Sequence, residues 1–144
     1  MNEWTYWHYN REEDYELLRS WAEAHGANVP PPDWLPETGV ILGNPEPVML
    51  LFVYHDPSSE VALLDNLHIK PRTSISTIKE AIIYAINGPL LEEARTRGFS
   101  VLMARTMAAI VRTLLHTPRW LVLEKDLMAM TYIYHKEELQ HEVV

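Results

Sequence analysis

Residues 61–83 read Val-Ala-Leu-Leu-Asp-Asn-Leu-His-Ile-Lys-Pro-Arg-Thr-Ser-Ile-Ser-Thr-Ile-Lys-Glu-Ala-Ile-Ile, and this stretch decides the fold. Its first part, Val61 to Ile69, is rich in aliphatic residues and predicts a strand. Pro71 ends that strand because a proline has no amide hydrogen for the ladder. Thr77 and Glu80 have the spacing of a capping box, which predicts that a helix begins there.

The chain after residue 77 predicts one long helix followed by a short strand. Apolar residues recur at helical spacing up to Ala94, Gly88-Pro89 is expected to bend the helix, and Gly98 ends it. Residues 101–103 then form a short strand. A strand, a helix and a second strand joined by short connections indicate a parallel crossover inside a mixed sheet.

The chain before residue 61 predicts a strand, a helix and two further strands. Asn10 and Glu13 have capping spacing, so a helix begins there and ends at Gly26. Residues 27–38 contain four prolines and predict an irregular loop. The remaining predicted elements are strands at 4–9, 40–42, 48–54, 121–123 and 128–134, a helix from Thr106 to 116, and a frayed polar tail at 136–144.

The order β-α-β-β-β-α-β-α-β-β predicts a single α/β (α+β) domain over residues 1–144. We expect a mixed, mostly antiparallel twisted sheet of about seven strands, flanked by helices on both faces.

Composition limits the classes of function. The chain has no cysteine, so it offers no disulfide framework and no thiolate ligand or nucleophile. The net charge of −8 argues against a general nucleic-acid-binding surface. The seven histidines show no short ligand spacing, so we expect no metal site. Since no signal peptide is visible and the longest apolar run is too short for a bilayer, we expect a cytoplasmic protein without a membrane partner.

Several short motifs occur in a recognisable order. They are Trp21, His25-Gly26, Pro31-Pro32, Leu35-Pro36-Glu37-Thr38-Gly39 and Glu93-Ala94-Arg95-Thr96-Arg97-Gly98-Phe99. Together they resemble the GNAT superfamily of N-acetyltransferases over nearly the whole chain. The likeness is greatest to the small GNAT-like proteins of phage and prophage genomes.

The resemblance implies a site for acetyl-CoA, or another acyl-CoA, in a V-shaped opening between the fourth and fifth strands. Val61 to Ile69 would be the fourth strand, and the loop after it would present amides to the pyrophosphate. Arg72 would add positive charge to that loop. The cofactor-binding residues implied in this way are Leu67, His68, Ile69, Arg72, Thr73, Ser74, Ile75, Ser76 and Thr77.

Catalysis in such a site would need a base and an acid. Asp65 is the candidate base, alone or through a bound water, although a sheet-face carboxylate bound to its neighbours is the alternative. His68 is a second candidate base, or a structural histidine. Tyr132 and Tyr134 alternate on the last strand, so one of them is the candidate acid, and core packing is the alternative for both.

Two functions therefore stay open on the sequence. The first is an acyl-CoA-dependent N-acyltransferase with a small-molecule or protein amine as acceptor. The second is a GNAT-fold binding protein without catalysis, which the absence of glycine from residues 70–77 favours. That protein would contact a partner through Trp34 and loop 27–38. A homodimer is expected only by analogy with the fold.

Overall fold

A computed structural model describes residues 3–105, 120–124, 129–134 and 136–139 of the chain. The predicted helix beginning at Thr106 lies outside these residues. The elements in chain order are β1 (Thr5–His8), α1 (Arg11–Ala24), a short 3₁₀ turn (Pro32–Trp34), β2 (Gly39–Gly43), β3 (Pro47–His55), β4 (Val61–Ile69), α2 (Ile75–Asn87), α3 (Pro89–Arg97), β5 (Val101–Arg105), β6 (Trp120–Glu124), β7 (Ala129–Ile133) and α4 (Lys136–Leu139).

The described strands form one seven-stranded sheet in the order β1-β2-β3-β4-β5-β7-β6. Every neighbouring pair is antiparallel except β4 and β5, which run parallel. The expected sheet of about seven strands and the expected parallel crossover are both confirmed. Parallel pairing follows from the two helices between β4 and β5, which return the chain to the same end of the sheet.

The sheet carries a hydrophobic core on each face, because its strands alternate their side chains. One core includes Val40, Met49, Leu51 and Val53 and packs under α2 and α3. The other includes Ile41, Leu50 and Phe52 and packs under α1. The two faces are called the α2 face and the α1 face below.

Gly39, the last residue of the Leu-Pro-Glu-Thr-Gly motif, supports the α1 face. A Cβ atom at this position would lie 2.8 Å from the Tyr9 Cβ and 2.9 Å from the Phe52 ring. Tyr9 and Phe52 pack edge to face with their centroids 4.9 Å apart. The motif therefore ends in glycine because two aromatic residues occupy the space of a side chain.

Helix α1 begins and ends as its sequence predicts. The Asn10 side chain accepts a hydrogen bond from the Glu13 amide at 3.1 Å, which satisfies one of the amides left open at a helix start. After the helix, Gly26 has a φ of 69°, a left-handed conformation suited to glycine. The loop 27–38 is irregular apart from the short 3₁₀ turn, which the sequence did not predict.

The long helix predicted after residue 77 differs from the structure at two points. Helix α2 begins at Ile75, because the Ser74 side chain caps the Thr77 amide. The chain then breaks at Gly88, so that α2 and α3 are separate helices and Pro89 is the first residue of α3. A proline lacks the amide that would continue α2, but it suits the first turn of a new helix.

Residues 136–139 of the predicted frayed tail form helix α4. The Arg95 Nε atom donates to the Glu138 carbonyl at 2.9 Å, and Leu139 packs against the core of the α2 face. These contacts hold α4 against α3, where the polar sequence alone indicated no packing.

Candidate active site

Strand β4 is longer than its pairing with β5. The parallel ladder joins Val61 to Val101 and ends where Leu64 meets Ala104. Strand β4 then continues to Ile69, still paired with β3 on its other side. Within the described residues, the backbone of 65–69 therefore has a ladder on one edge only. The sequence expectation of an opening between these strands corresponds to this part of β4.

A β-bulge in β4 changes the face on which its last residues lie. His68 stands opposite Leu50, whereas Asp65 stands opposite Phe52. The two residues of β4 that lie between Asp65 and His68 face a single residue of β3, Leu51. Strand β4 therefore carries one extra residue at this point. Leu50 and Phe52 both lie on the α1 face, and Asp65 and His68 consequently share that face. In a regular strand, residues three apart would point to opposite faces.

The end of β4 is tied to the end of α1. The His25 Nε2 atom lies 2.8 Å from the Ile69 carbonyl oxygen, and because a carbonyl only accepts, His25 donates this hydrogen bond. His25 is the C-cap residue of α1. This contact gives the His25-Gly26 motif a physical role, since it fixes the strand end that follows Asp65 and His68. Sequence reasoning did not place His25 in the site, and its motif was the only signal.

His68 is set apart from the other histidines by its surroundings. Its Nε2 atom is buried and has no hydrogen-bond partner among the described residues. Burial lowers the pKa of His68 below its ordinary value of 6.5, and the nearby imidazole of His25 lowers this pKa further. His68 is therefore neutral at pH 7, and a neutral imidazole can accept a proton.

We expect the low pKa of His68 to make the folded protein less stable in mild acid. The unfolded chain binds a proton at His68 at a higher pH than the folded chain does, so unfolding takes up a proton. The free energy of unfolding should fall as the pH is lowered through 6.5 and level off below the folded-state pKa. Urea unfolding between about pH 7.5 and pH 5 should show this slope, and His68→Gln should reduce it. If the free energy of unfolding depends on pH equally in both proteins, the slope does not come from His68.

The turn after β4 has an unusual residue at its third position. The Thr73 amide donates to the Lys70 carbonyl at 3.3 Å, which closes a β-turn with Pro71 second and Arg72 third. Arg72 has a φ of 68°, within the left-handed region. This pattern resembles a type II turn, in which glycine is preferred at the third position. The loop thus reaches the backbone conformation of a glycine-containing loop while keeping an exposed guanidinium.

The turn leads into the N-terminus of α2. The Ser74 hydroxyl accepts from the Thr77 amide at 3.1 Å and lies 2.9 Å from the Thr77 hydroxyl. The amides of Ile75 and Ser76 belong to the first turn, where no intrahelical acceptor exists. These amides and the helix dipole favour an anion. Of the residues expected in an anion loop, Arg72 and Thr73 lie in the turn, Ser74 caps α2, and Ile75 to Thr77 already lie in α2.

The remaining residues expected at the cofactor lie at the end of β4. Leu67 and Ile69 pack against the core of the α2 face. Their backbone groups, rather than their side chains, would therefore line the opening.

The two candidate tyrosines lie toward the closed end of the β4–β5 ladder. Tyr132 pairs with Leu102, which in turn pairs with Ala62. The Tyr134 amide donates to the Ser100 carbonyl, beyond the ladder. The Tyr134 side chain is 3% exposed and its hydroxyl donates to the Ile86 carbonyl at 2.8 Å. The structure thus brings Asp65 to the open part of β4 and places Tyr134 in the core, which is the packing alternative given for this tyrosine.

Among the described residues, no group of three or more His, Asp or Glu side chains could hold a metal ion. No helix in the described part of the chain is long and apolar enough to cross a bilayer.

Comparison with other proteins identifies the fold. No protein-family model matches the sequence, and no curated protein matches it either. Solved structures do match. N-acetylglutamate synthase from Neisseria gonorrhoeae, complexed with coenzyme A and L-arginine, has a TM-score of 0.66 at 10% identity. The match covers 94% of this chain but 34% of that enzyme, so the chain spans about a third of its length.

Two shorter proteins match over nearly their whole length. Ard1 from Thermoplasma volcanium has a TM-score of 0.63 at 12% identity, covering 92% of this chain and 99% of Ard1. The ribosomal-protein-S18-alanine N-acetyltransferase from Escherichia coli has a TM-score of 0.61 at 14% identity, covering 99% of this chain and all of the enzyme. The chain therefore has the fold of the GNAT N-acetyltransferases, as its motifs predict.

Proposed function

We propose that this protein is an acyl-CoA-dependent N-acyltransferase that transfers an acyl group to an amine. The observation that carries this proposal is the end of the β4–β5 ladder at Leu64, five residues before β4 itself ends. Strand β4 leads from that opening, through the turn of Arg72, to the N-terminus of α2. Proteins of the same fold that bind coenzyme A support the proposal.

The residues at the end of β4 fit a cofactor with an extended arm and a pyrophosphate. The backbone of 65–69 offers amide and carbonyl groups along one open edge, suited to the amide-containing arm of coenzyme A. The pyrophosphate would meet the amides of Ile75 and Ser76 and the guanidinium of Arg72. An acyl-CoA supplies a thioester carbonyl at the far end of this arm.

The reaction then requires the amine to lose a proton as it attacks the thioester carbon. A carbon–nitrogen bond forms, the carbon–sulfur bond breaks, and the thiolate leaves and takes up a proton. The bulge places Asp65 and His68 on the α1 face, beside the open edge. We assign Asp65, directly or through a water, as the base. Tyr132 remains a candidate for the acid.

Calorimetric titration with acetyl-CoA tests the proposal. We expect saturable binding with a Kd below about 1 mM. Acetylpantetheine, which lacks the pyrophosphate and the nucleotide, should bind more weakly because it cannot reach the α2 N-terminus. Absence of heat at millimolar acetyl-CoA would refute the proposal.

Turnover can be followed by thiol detection, since the protein itself contributes no thiol signal. Because the chain has no cysteine, the only thiol released in a reaction mixture is that of coenzyme A. A thiol-reactive dye therefore reports transfer to each amine in a panel that includes amino acids, polyamines and peptide N-termini. The amine that raises thiol release identifies the acceptor class.

A non-catalytic binding protein is the second candidate, and the position of Trp34 favours it. Trp34 is 75% exposed, although its loop is fixed to α1. The Tyr15 hydroxyl donates to the Pro30 carbonyl at 2.7 Å, and Arg11 donates to the Leu35 carbonyl at 2.9 Å. A rigid loop that exposes tryptophan suits contact with a protein partner. The same titration separates the two functions, since a binder without catalysis requires no acetyl-CoA.

A further inference from the structure

The carbonyl group of Ile69 points to the open edge of β4, away from β3. The Lys70 amide donates to the Val48 carbonyl at 2.8 Å, so this amide points toward β3. The Ile69 carbonyl and the Lys70 amide belong to one trans peptide unit, in which the two groups point in opposite directions. Because the pairing with β5 already ends at Leu64, the Ile69 carbonyl is one of the acceptors that the open edge presents to a ligand.

A side chain of the protein already uses this acceptor. The His25 Nε2 atom donates to the Ile69 carbonyl oxygen, and the distance of 2.8 Å is that of a well-formed hydrogen bond. The imidazole of His25 also lowers the pKa of His68, which places the ring beside the same end of β4. The C-cap residue of α1 thus reaches the edge along which the arm of an acyl-CoA would lie.

The imidazole of His25 can leave this edge without disturbing the helix that carries it. The His25 amide donates to the Trp21 and Ala22 carbonyls, both at 3.1 Å, so the main chain at this position is held by α1 itself. The His25 side chain is exposed, and an exposed side chain changes rotamer within nanoseconds. Moving the ring into water therefore breaks one hydrogen bond and leaves the end of α1 in place.

We propose that His25 competes with the arm of acyl-CoA for the Ile69 carbonyl. The imidazole holds the carbonyl in the free protein, and an amide N–H of the arm takes its place when the cofactor binds. A carbonyl oxygen can accept two hydrogen bonds, but the ring stands where an arm paired along the edge would lie, so the arm has to displace it. This inference rests on the proposed acyl-CoA function and adds to it a residue that lowers the affinity for the cofactor.

Calorimetric titration of His25→Ala tests the competition. We expect acetyl-CoA to bind the variant about two- to tenfold more tightly than the unchanged protein, which corresponds to one net hydrogen bond. Acetylpantetheine should show the same gain, because it carries the arm. Adenosine bisphosphate, which carries phosphates but no arm, should bind both proteins equally. Equal or weaker binding of the two acetyl compounds to His25→Ala, or a gain that also appears with adenosine bisphosphate, would overturn the proposal.

His55→Ala is the matched control, since it also removes a contact between an imidazole and a main-chain carbonyl. The His55 Nε2 atom lies 2.7 Å from the Ser59 carbonyl oxygen, in the connection between β3 and β4, at the opposite end of β4 from Ile69. This variant should bind acetyl-CoA with unchanged affinity. A tightening equal to that of His25→Ala would show that the gain does not come from the Ile69 carbonyl.

NMR of the unchanged protein gives a readout that needs no variant. The imidazole nitrogen signals of His25 should shift during titration with acetylpantetheine, whereas those of His55 should stay in place. Unmoved His25 signals at saturation would also overturn the proposal.

The same titrations separate this inference from the function on which it rests. If neither the unchanged protein nor His25→Ala binds acetyl-CoA, the acyl-CoA function is refuted, and the competition with it. If both proteins bind acetyl-CoA with the same affinity, the acyl-CoA function stands and only the competition is wrong.

Discussion

Replacing Arg72 with glycine is expected to weaken coenzyme A binding about ten- to a hundredfold without destabilising the protein. A charge-assisted hydrogen bond to a phosphate contributes about 1.5–3 kcal/mol, and glycine removes it. The left-handed φ of 68° at Arg72 disfavours a side chain by about 1–2 kcal/mol. Glycine relieves this strain, although its greater freedom in the unfolded chain offsets about 0.4–1 kcal/mol. Calorimetric titration and urea unfolding measure the two effects.

Matched variants separate charge from backbone geometry at Arg72. Arg72→Ala should lose as much affinity as Arg72→Gly, yet be less stable, because alanine keeps the strained backbone without the guanidinium. Arg72→Glu should bind coenzyme A more weakly still, because a carboxylate repels the pyrophosphate. Arg19→Ala is the control, since Arg19 pairs with Glu16 and Glu23 on the exposed side of α1. Unchanged affinity in Arg72→Gly would place the pyrophosphate elsewhere.

Replacing Tyr134 with phenylalanine is expected to lower the free energy of unfolding by about 1–3 kcal/mol. The Tyr134 hydroxyl donates to the Ile86 carbonyl. In a continuous helix that carbonyl would accept from the amide of Leu90, but the break at Gly88 removes this partner. Without the hydroxyl, a carbonyl in the core loses a hydrogen bond and is not rehydrated. Urea unfolding of the two proteins at neutral pH measures the difference.

The same variant distinguishes a structural tyrosine from a catalytic acid. Loss of a general acid lowers the rate roughly 10²–10⁴-fold. Loss of a hydrogen bond in the core should leave the rate of thiol release unchanged under conditions where the variant is folded. Tyr6→Phe is the stability control. Because Tyr6 is at the surface, removing its hydroxyl should change the free energy of unfolding by no more than about 0.5 kcal/mol. A large loss of rate without loss of stability in Tyr134→Phe would restore the acid role.

Local signals in the sequence predicted most elements of the fold. The bounds of β4 follow from its aliphatic run and Pro71, and α1 follows from the Asn10 and Glu13 spacing. Helix α2 begins earlier than predicted, because Ser74 rather than Thr77 caps it. Serine and threonine both suit a cap, so the sequence did not show which of the two is used. The sequence did not show why residue 39 is glycine. Phe52, which occupies the space of a side chain at this position, belongs to another strand.

The sequence by itself determined the order of most strands and helices in the described residues, because capping residues, prolines and apolar periodicity act within a few residues of each other. The tertiary structure alone decided where the β4–β5 ladder ends and which face holds Asp65 and His68. Each of these depends on pairing register or on packing between distant segments. A single extra residue in β4 reverses the face of every later side chain, and no local pattern in the strand reports it.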